Sequence, residues 1–222
     1  MQHAKPTLNA DSRKNSLWIV LIISLCALLF WLAFFWTPTG LRQQQTSQTH
    51  TPLQLAETPR GGDFRLQSPT GEVNLADYRG KVIILYFGYT FCPDICPTAL
   101  SILGQALSAL TVEEQEKVQS FFISVDPERD TQEILKVYPP FFHPNIVGLS
   151  GTPEQISQVS ALYGVRYMKQ NPDADGLYAV DHTAFTYINA PDGKLSAILP
   201  HGSSAEAIVV AIRELLDKPA QH

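Results

Sequence analysis

The sequence predicts an α/β domain with a mostly parallel sheet, preceded by one N-terminal transmembrane helix. Residues 17–36 carry no charge and have about the length of a helix that spans a bilayer. Residues 82–87 are uncharged, β-branched and aromatic, as in a buried central strand, and helical spacing follows directly. Strand and helix patterns then alternate along the chain, an order typical of parallel sheets covered by helices on both faces.

The segments that flank the folded domain are predicted from charge and composition. Basic residues precede the apolar segment, so residues 1–16 are predicted to be a cytoplasmic tail. Residues 37–59 are rich in Gln, Thr and Pro and lack periodicity, which is typical of a flexible tether. The domain is expected at residues 60–218, with a C-terminal tail at 219–222.

The cellular location follows from the same N-terminal pattern. No Arg- and Ser-rich transit peptide precedes the apolar segment, and no small-residue cleavage site follows it. We therefore expect a single-pass protein of the bacterial inner membrane, with its C-terminal domain in the periplasm. The mitochondrial intermembrane space is the alternative compartment.

The domain is predicted to begin with a hairpin, to continue with βα units, and to end with a second hairpin and a helix. The predicted strands lie at residues 64–66, 73–75, 82–87, 121–125, 146–149, 184–188 and 195–199. The predicted helices lie at residues 97–110, 132–138, 152–163 and 203–216. Pro139 is expected to stop the second helix, because proline lacks the N–H that a helix interior needs.

Two cysteines lie between the central strand and the first helix. Pro97 suits the first position of a helix and pushes Cys96 out of the helical region, so we place Cys92 and Cys96 on a loop. A thiolate at Cys96 would then lie at a helix N-terminus, which favours negative charge. The spacer is one residue longer than in Cys-x-x-Cys motifs. The pair is open to three interpretations: a structural disulfide, a redox dithiol, or two thiolates around a soft metal ion.

A metal held by these thiolates needs a further donor, and His182 is the candidate. The other histidines lie in the tail, the tether, loops or the chain end: His3, His50, His143, His201 and His222. In a thioredoxin-like sheet the loop that contains His182 faces the cysteine turn. Asp181 beside it is expected to orient the imidazole. Taken alone, such a histidine is more often an ordinary strand-end residue.

Composition and charge exclude some classes of function. The formal net charge of −5 argues against nucleic-acid binding. Three cysteines are too few for a disulfide scaffold, and Cys26 lies within the apolar segment. The charged stretch at residues 126–130 is expected to be a solvated turn.

Four motifs are informative in combination. They are GYTFCPDICP at residues 88–97, SVDPERDT at 124–131, GLSGT at 148–152 and DHT at 181–183. Together they resemble the Sco/SenC family of copper chaperones for cytochrome c oxidase assembly. The single N-terminal anchor is also typical of that family.

The resemblance implies a thioredoxin-like fold that binds copper, as Cu(I), Cu(II) or both, through Cys92, Cys96 and His182. It implies a membrane-anchored metallochaperone that delivers copper to the dinuclear copper site of cytochrome c oxidase subunit II. The alternative is a thiol–disulfide reductase that maintains the cysteines of that site. Cys92 and Cys96 would then be the catalytic pair, with a Cys92–Cys96 disulfide as the oxidised form. Other copper carriers or thioredoxin-like reductants are the further partners implied.

Overall fold

A computed structural model describes residues 10–35 and 53–217 of the chain, with side chains only for residues 18–32 in the first range. The predictions for residues 1–9, 36–52 and 218–222 lie outside the described residues. They concern the C-terminal tail, most of the cytoplasmic tail and of the tether, and three histidines: His3, His50 and His222.

One long helix, α1 (Ala10–Phe35), covers nearly all of the predicted apolar segment and begins before it. The side chains of residues 18–32 are exposed. This helix belongs to a unit of the chain separate from the domain that follows. Within the residues described, no helix combines the length and apolar character that membrane crossing requires. The transmembrane helix predicted at residues 17–36 is therefore not shown.

The domain alternates strands and helices in the predicted order. Its strands are β1 (Arg65–Ser68), β2 (Gly71–Asn74), β3 (Val82–Gly88), β4 (Val118–Ser124), β5 (Ile146–Leu149), β6 (Tyr167–Lys169), β7 (Val180–His182), β8 (Thr186–Asn189) and β9 (Leu195–Leu199). Its helices are α2 (Ile95–Ser108), α3 (Val112–Glu116), α4 (Gln132–Leu135), α5 (Tyr138–Phe142), α6 (Pro153–Leu162) and α7 (Ala205–Leu216). A 3₁₀ helix, Leu75–Tyr78, follows β2.

A five-stranded sheet with the order β5-β4-β3-β8-β9 forms the centre of the domain. Strands β3, β4 and β5 are parallel, whereas β8 pairs antiparallel with β3 and β9 antiparallel with β8. Every residue of β3 is buried, as expected for an apolar run in the middle of a sheet. The predicted mixed α/β sheet with an antiparallel edge is confirmed. The hairpins β1–β2 and β6–β7 lie outside this sheet.

The two faces of β3 pack against different elements, because neighbouring side chains on a strand point to opposite faces. Phe87 packs against Tyr163, which follows α6, and against Tyr187 of β8. Tyr86 points to the other face, where it lines a small cavity with Ile102 of α2 and Ile208 of α7. Strand β3 ends at Gly88, two residues after Tyr86, and the cysteine loop follows it.

The structure differs from the predicted elements in four main places, one of which is the short, unpredicted helix α3 between α2 and β4. Helix α2 begins at Ile95, before the predicted start at Pro97. The helix predicted at residues 132–138 ends at Leu135, and both prolines lie in the first turn of α5, where a missing N–H leaves no bond unmade. The hairpin β6–β7 was not predicted, because β6 is short, mostly exposed and without alternating hydrophobicity.

Candidate metal centre

Cys92, Cys96 and His182 come together at one end of the sheet. The cysteines follow β3 along the chain, and His182 is the last residue of β7. The three side chains therefore come from two segments that are far apart in sequence. Their ligand atoms all lie within 4.8 Å of one another. The Sγ atom of Cys96 lies 3.3 Å from Nε2 of His182. All three residues are buried, with exposed fractions of 4%, 0% and 1%.

Cys96 lies in the first turn of α2, so the prediction that places it on a loop is wrong. Cys96 is fully buried, and its backbone N–H donates a hydrogen bond to the Cys92 sulfur at 3.5 Å. Asp94, the N-cap residue, makes no side-chain capping bond, and the sulfur therefore satisfies an N–H of the first turn. Pro97 fits within this turn because the first N–H groups of a helix have no intrahelical acceptor.

The two thiols differ in their electrostatics. A hydrogen bond from the Cys96 thiol lowers the pKa of Cys92, and two backbone N–H groups act in the same direction. Burial raises the pKa of Cys96, and the neighbouring Cys92 raises it further. The thiolate predicted for Cys96 therefore belongs to Cys92. Desolvation of a fully buried sulfur outweighs the favourable field of the helix N-terminus.

The tautomer of His182 follows from its own backbone surroundings. Its Nδ1 lies 3.2 Å from the carbonyl oxygen of Thr183. A carbonyl can only accept, so Nδ1 carries a proton, and in the neutral ring Nε2 then presents a lone pair toward Cys96. The sequence suggested Asp181 for this orienting contact. The Asp181 carboxylate accepts a hydrogen bond from Gln170, across the β6–β7 hairpin.

A buried carboxylate fixes the start of the cysteine loop. Asp130 is 1% exposed and accepts from the backbone N–H and the hydroxyl of Thr90, at 3.0 Å and 2.6 Å. It also accepts from the Ser124 hydroxyl at 2.6 Å. Burial raises the pKa of Asp130 above its ordinary value despite these bonds. The carboxylate thus joins the end of β4 to the loop that precedes Cys92.

Arg129 connects the same turn to the hairpin that carries the histidine. Its guanidinium stacks on the ring of Tyr178, 3.6 Å from the centroid, and donates to the Tyr178 carbonyl at 2.8 Å. It also pairs with Asp126, which is fully buried and accepts from the Tyr178 hydroxyl. The ring of Phe91, in the cysteine loop, lies 5.0 Å from the guanidinium.

The expectation of a solvated turn at residues 126–130 is therefore wrong. The two aspartates of this turn are interior groups, and its arginine spans the cysteine loop and the β6–β7 hairpin. A signal was present in the sequence, since four charged residues follow a buried strand within SVDPERDT. Their partners Thr90 and Tyr178 lie 40 to 52 residues away along the chain, so local patterning could not identify them.

The donor set suits a soft metal ion. Two sulfurs and one imidazole nitrogen are donors that copper and zinc accept, and both the lone pair of Nε2 and the low pKa of Cys92 favour metal binding. A closed structural zinc site has four ligands, one more than the group found here. The same geometry also suits a dithiol, since the two cysteines are free and adjacent.

Both the sequence and the fold of this chain are similar to known proteins. The sequence model described as SCO1/SenC matches residues 54–217. The bovine protein called Protein SCO2 homolog, mitochondrial, is 40% identical over 185 residues, which cover 82% of this chain and 68% of the bovine protein. Bradyrhizobium japonicum ScoI with copper bound is 38% identical with a TM-score of 0.64, covering 70% of this chain and 98% of ScoI. Yeast Sco1 with copper bound is 34% identical with a TM-score of 0.66, covering 74% and 91%.

Proposed function

This chain belongs to the SCO1/SenC family, and on that premise we propose that it is a copper-carrying metallochaperone for cytochrome c oxidase assembly. The observation that carries the proposal is the convergence of Cys92, Cys96 and His182, with their ligand atoms within 4.8 Å of one another. Relatives of 38% and 34% identity whose structures contain copper support the same role.

Copper is the cargo of this site, and the donor set suits either of its oxidation states. Thiolates favour Cu(I), and imidazole accepts Cu(I) or Cu(II). Three donors are one fewer than in a closed structural site, so a ligand of the acceptor protein can join before the copper leaves. We propose subunit II of cytochrome c oxidase, with its dinuclear copper site, as that acceptor.

The test is copper binding by the full-length chain with its thiols reduced. His182→Ala removes the imidazole donor, and His201→Ala is the matched control because His201 is an exposed histidine in the turn after β9. We expect wild type and the control to bind one copper ion per chain, while His182→Ala loses most of the affinity. Equal affinity in both variants would contradict the proposal.

A second function, thiol–disulfide reduction of the subunit II cysteines, is favoured by one observation. A thiolate at Cys92, whose pKa is lowered, lies beside the Cys96 thiol. Cys92 would attack a target disulfide and form a mixed disulfide. Cys96 would then lose its proton, displace the target thiolate, and leave a Cys92–Cys96 disulfide and a reduced target.

The two functions differ in their need for the histidine. In cells that lack the wild-type gene, a reductase keeps supporting oxidase assembly when His182 is replaced by Ala. A copper carrier loses that support. Replacement of either cysteine by Ser abolishes both functions, so the histidine variant decides between them.

We also propose that the domain is tethered to a membrane, on the grounds of the sequence. The uncharged segment at residues 17–36 would be the anchor, with residues 1–16 in the cytoplasm and the domain in the periplasm of a bacterium. Of the predicted tether at residues 37–59, only the part before Leu53 would be the tether, because Leu53 and Ala56 already hydrogen-bond to the domain. Recovery of the chain in the membrane fraction after a carbonate wash, and in the soluble fraction once residues 1–36 are deleted, tests this.

A further inference from the structure

One buried phenol close to the metal centre has no hydrogen-bond partner. Tyr86 of β3 is 2% exposed, and among the described residues its hydroxyl oxygen is buried without an acceptor or donor in hydrogen-bond geometry. Buried polar groups are nearly always hydrogen-bonded, because a buried group without a partner loses its hydrogen bonds to water and gains none in return. The function proposed above assigns no role to this hydroxyl.

The Tyr86 ring and the Cys96 sulfur meet over the backbone of Gly88. A Cβ atom at Gly88 would lie 2.7 Å from the Cys96 sulfur and 3.2 Å from Cε1 of Tyr86, so only glycine leaves room for both groups. The Tyr86 ring also stands edge-on to the His182 ring, with the centroids 6.3 Å apart and the planes at 90°. The phenol therefore borders two of the three proposed copper ligands.

The chemistry of the sulfur explains why the hydroxyl lacks a partner in the present state. A neutral thiol is a weak acceptor, whereas a thiolate accepts strongly from an O–H group. Copper, when bound, would displace the thiol proton and turn this sulfur into a thiolate, which needs a hydrogen-bond donor because it is buried.

We propose that Tyr86 is a positioning residue that donates its O–H to the Cys96 sulfur when that sulfur binds copper. This inference rests on the proposed copper-carrying function. The hydrogen bond holds the sulfur against Gly88 and withdraws electron density from it. Hydrogen bonds to metal-bound sulfur are known to tune metal affinity and electronic properties.

Tyr187 provides a matched control within the same sheet. It is fully buried in β8, and its hydroxyl is also without a partner among the described residues. Its ring packs against Phe87 and Tyr163, on the face of the sheet opposite to Tyr86. Tyr187→Phe and Tyr86→Phe therefore remove the same unpaired hydroxyl from equally buried rings, and only one of them borders the cysteines.

The experiment compares Tyr86→Phe and Tyr187→Phe in the full-length chain. Cu(I) affinity is measured by competition with a chromophoric chelator, and the sulfur-to-copper charge-transfer band is recorded for the Cu(II) form. Tyr86→Phe is expected to bind Cu(I) about tenfold more weakly, the lower end for loss of a partner that orients a ligand. Its band is expected at longer wavelength, because the sulfur regains electron density. Tyr187→Phe is expected to match wild type in both.

Both variants are expected to fold like wild type, because neither substitution removes a hydrogen bond formed among the described residues. The inference is overturned if Tyr86→Phe matches Tyr187→Phe in affinity and in the position of the band. If wild type binds no copper, the proposed function itself fails, and that outcome is separate because it appears before any variant is compared.

Discussion

The backbone N–H of Leu53 donates a hydrogen bond to the carbonyl oxygen of His182, 3.3 Å away. Three residues further on, Ala56 donates to the carbonyl of Gly164 at 2.9 Å. The segment that enters the domain therefore runs along β7 and the end of α6. It supports the backbone of the proposed imidazole ligand, although composition assigns it to a flexible tether.

A chain shortened to begin at residue 58 is expected to lose stability and copper affinity. Loss of these hydrogen bonds lowers the free energy of unfolding by about 1–2 kcal/mol. His182 loses a backbone constraint, so copper binding weakens several-fold. Urea unfolding and a copper competition assay measure the two effects against a chain that begins at residue 48 and keeps the segment. Equal values for the two shortened chains would show that residues 53–57 are dispensable.

Replacement of Asp130 by Ala is expected to disorder the cysteine loop. Thr90 loses the acceptor of its N–H and its hydroxyl, and Ser124 loses the acceptor of its hydroxyl. Buried donors left unpaired lower the free energy of unfolding by about 3 kcal/mol in total. Asp175→Ala, at an exposed position of the β6–β7 loop, is the control. A thermal midpoint for Asp130→Ala equal to that of the control would contradict the role of this carboxylate.

The elements with strong local signals could be predicted from the sequence. The apolar run of β3 and the capping of α6 are local patterns, and the capping box between Thr152 and Gln155 is present. The convergence of Cys92, Cys96 and His182 follows from the antiparallel pairing of β8 with β3, because the segment that enters β8 then lies at the same edge of the sheet as the end of β3.

What could not be predicted depends on groups distant in sequence. Pro97 favours a loop at Cys96 by a local rule, but tertiary packing places Cys96 inside the first turn of α2 and removes it from water. The thiolate is therefore at Cys92 and not at Cys96, although the helix N-terminus favours a thiolate at Cys96. Asp126 is a similar case, because the tyrosine that pairs with it lies 52 residues further along the chain.

Arg129→Lys is expected to loosen the hairpin that carries His182 while conserving charge. A lysine cannot both donate to the Tyr178 carbonyl and stack on its ring as the planar guanidinium does. We expect faster amide hydrogen exchange at residues 170–180 and a several-fold weaker copper affinity. Arg65→Lys, whose arginine is exposed and paired with Glu72, controls for the substitution itself. If amide exchange in the hairpin is unchanged, Arg129 does not hold the hairpin in place.

The stability of the reduced, copper-free chain is expected to depend on pH through Cys92. The folded pKa of Cys92 lies below its ordinary value of 9.0, so between the two values the unfolded state binds more protons. The contribution of Cys92 to stability is therefore fully present above pH 9.0 and is lost as the pH falls through the folded pKa. Cys96 acts in the opposite sense, because its pKa is raised: its contribution is present below pH 9.0 and is lost as the pH rises above it.

Urea unfolding of wild type and Cys92→Ser between about pH 5 and pH 8 isolates this effect. The difference in free energy of unfolding is expected to grow with pH, by at most about 1.4 kcal/mol per pH unit, because one proton separates the two states. Cys26→Ser, in α1 and outside the domain, is expected to reproduce the wild-type slope. A difference that stays constant with pH would mean that Cys92 is a neutral thiol in the folded chain. The copper centre would then have to lose two thiol protons on metal binding, and copper affinity would fall more steeply with acidification than a site with one preformed thiolate allows.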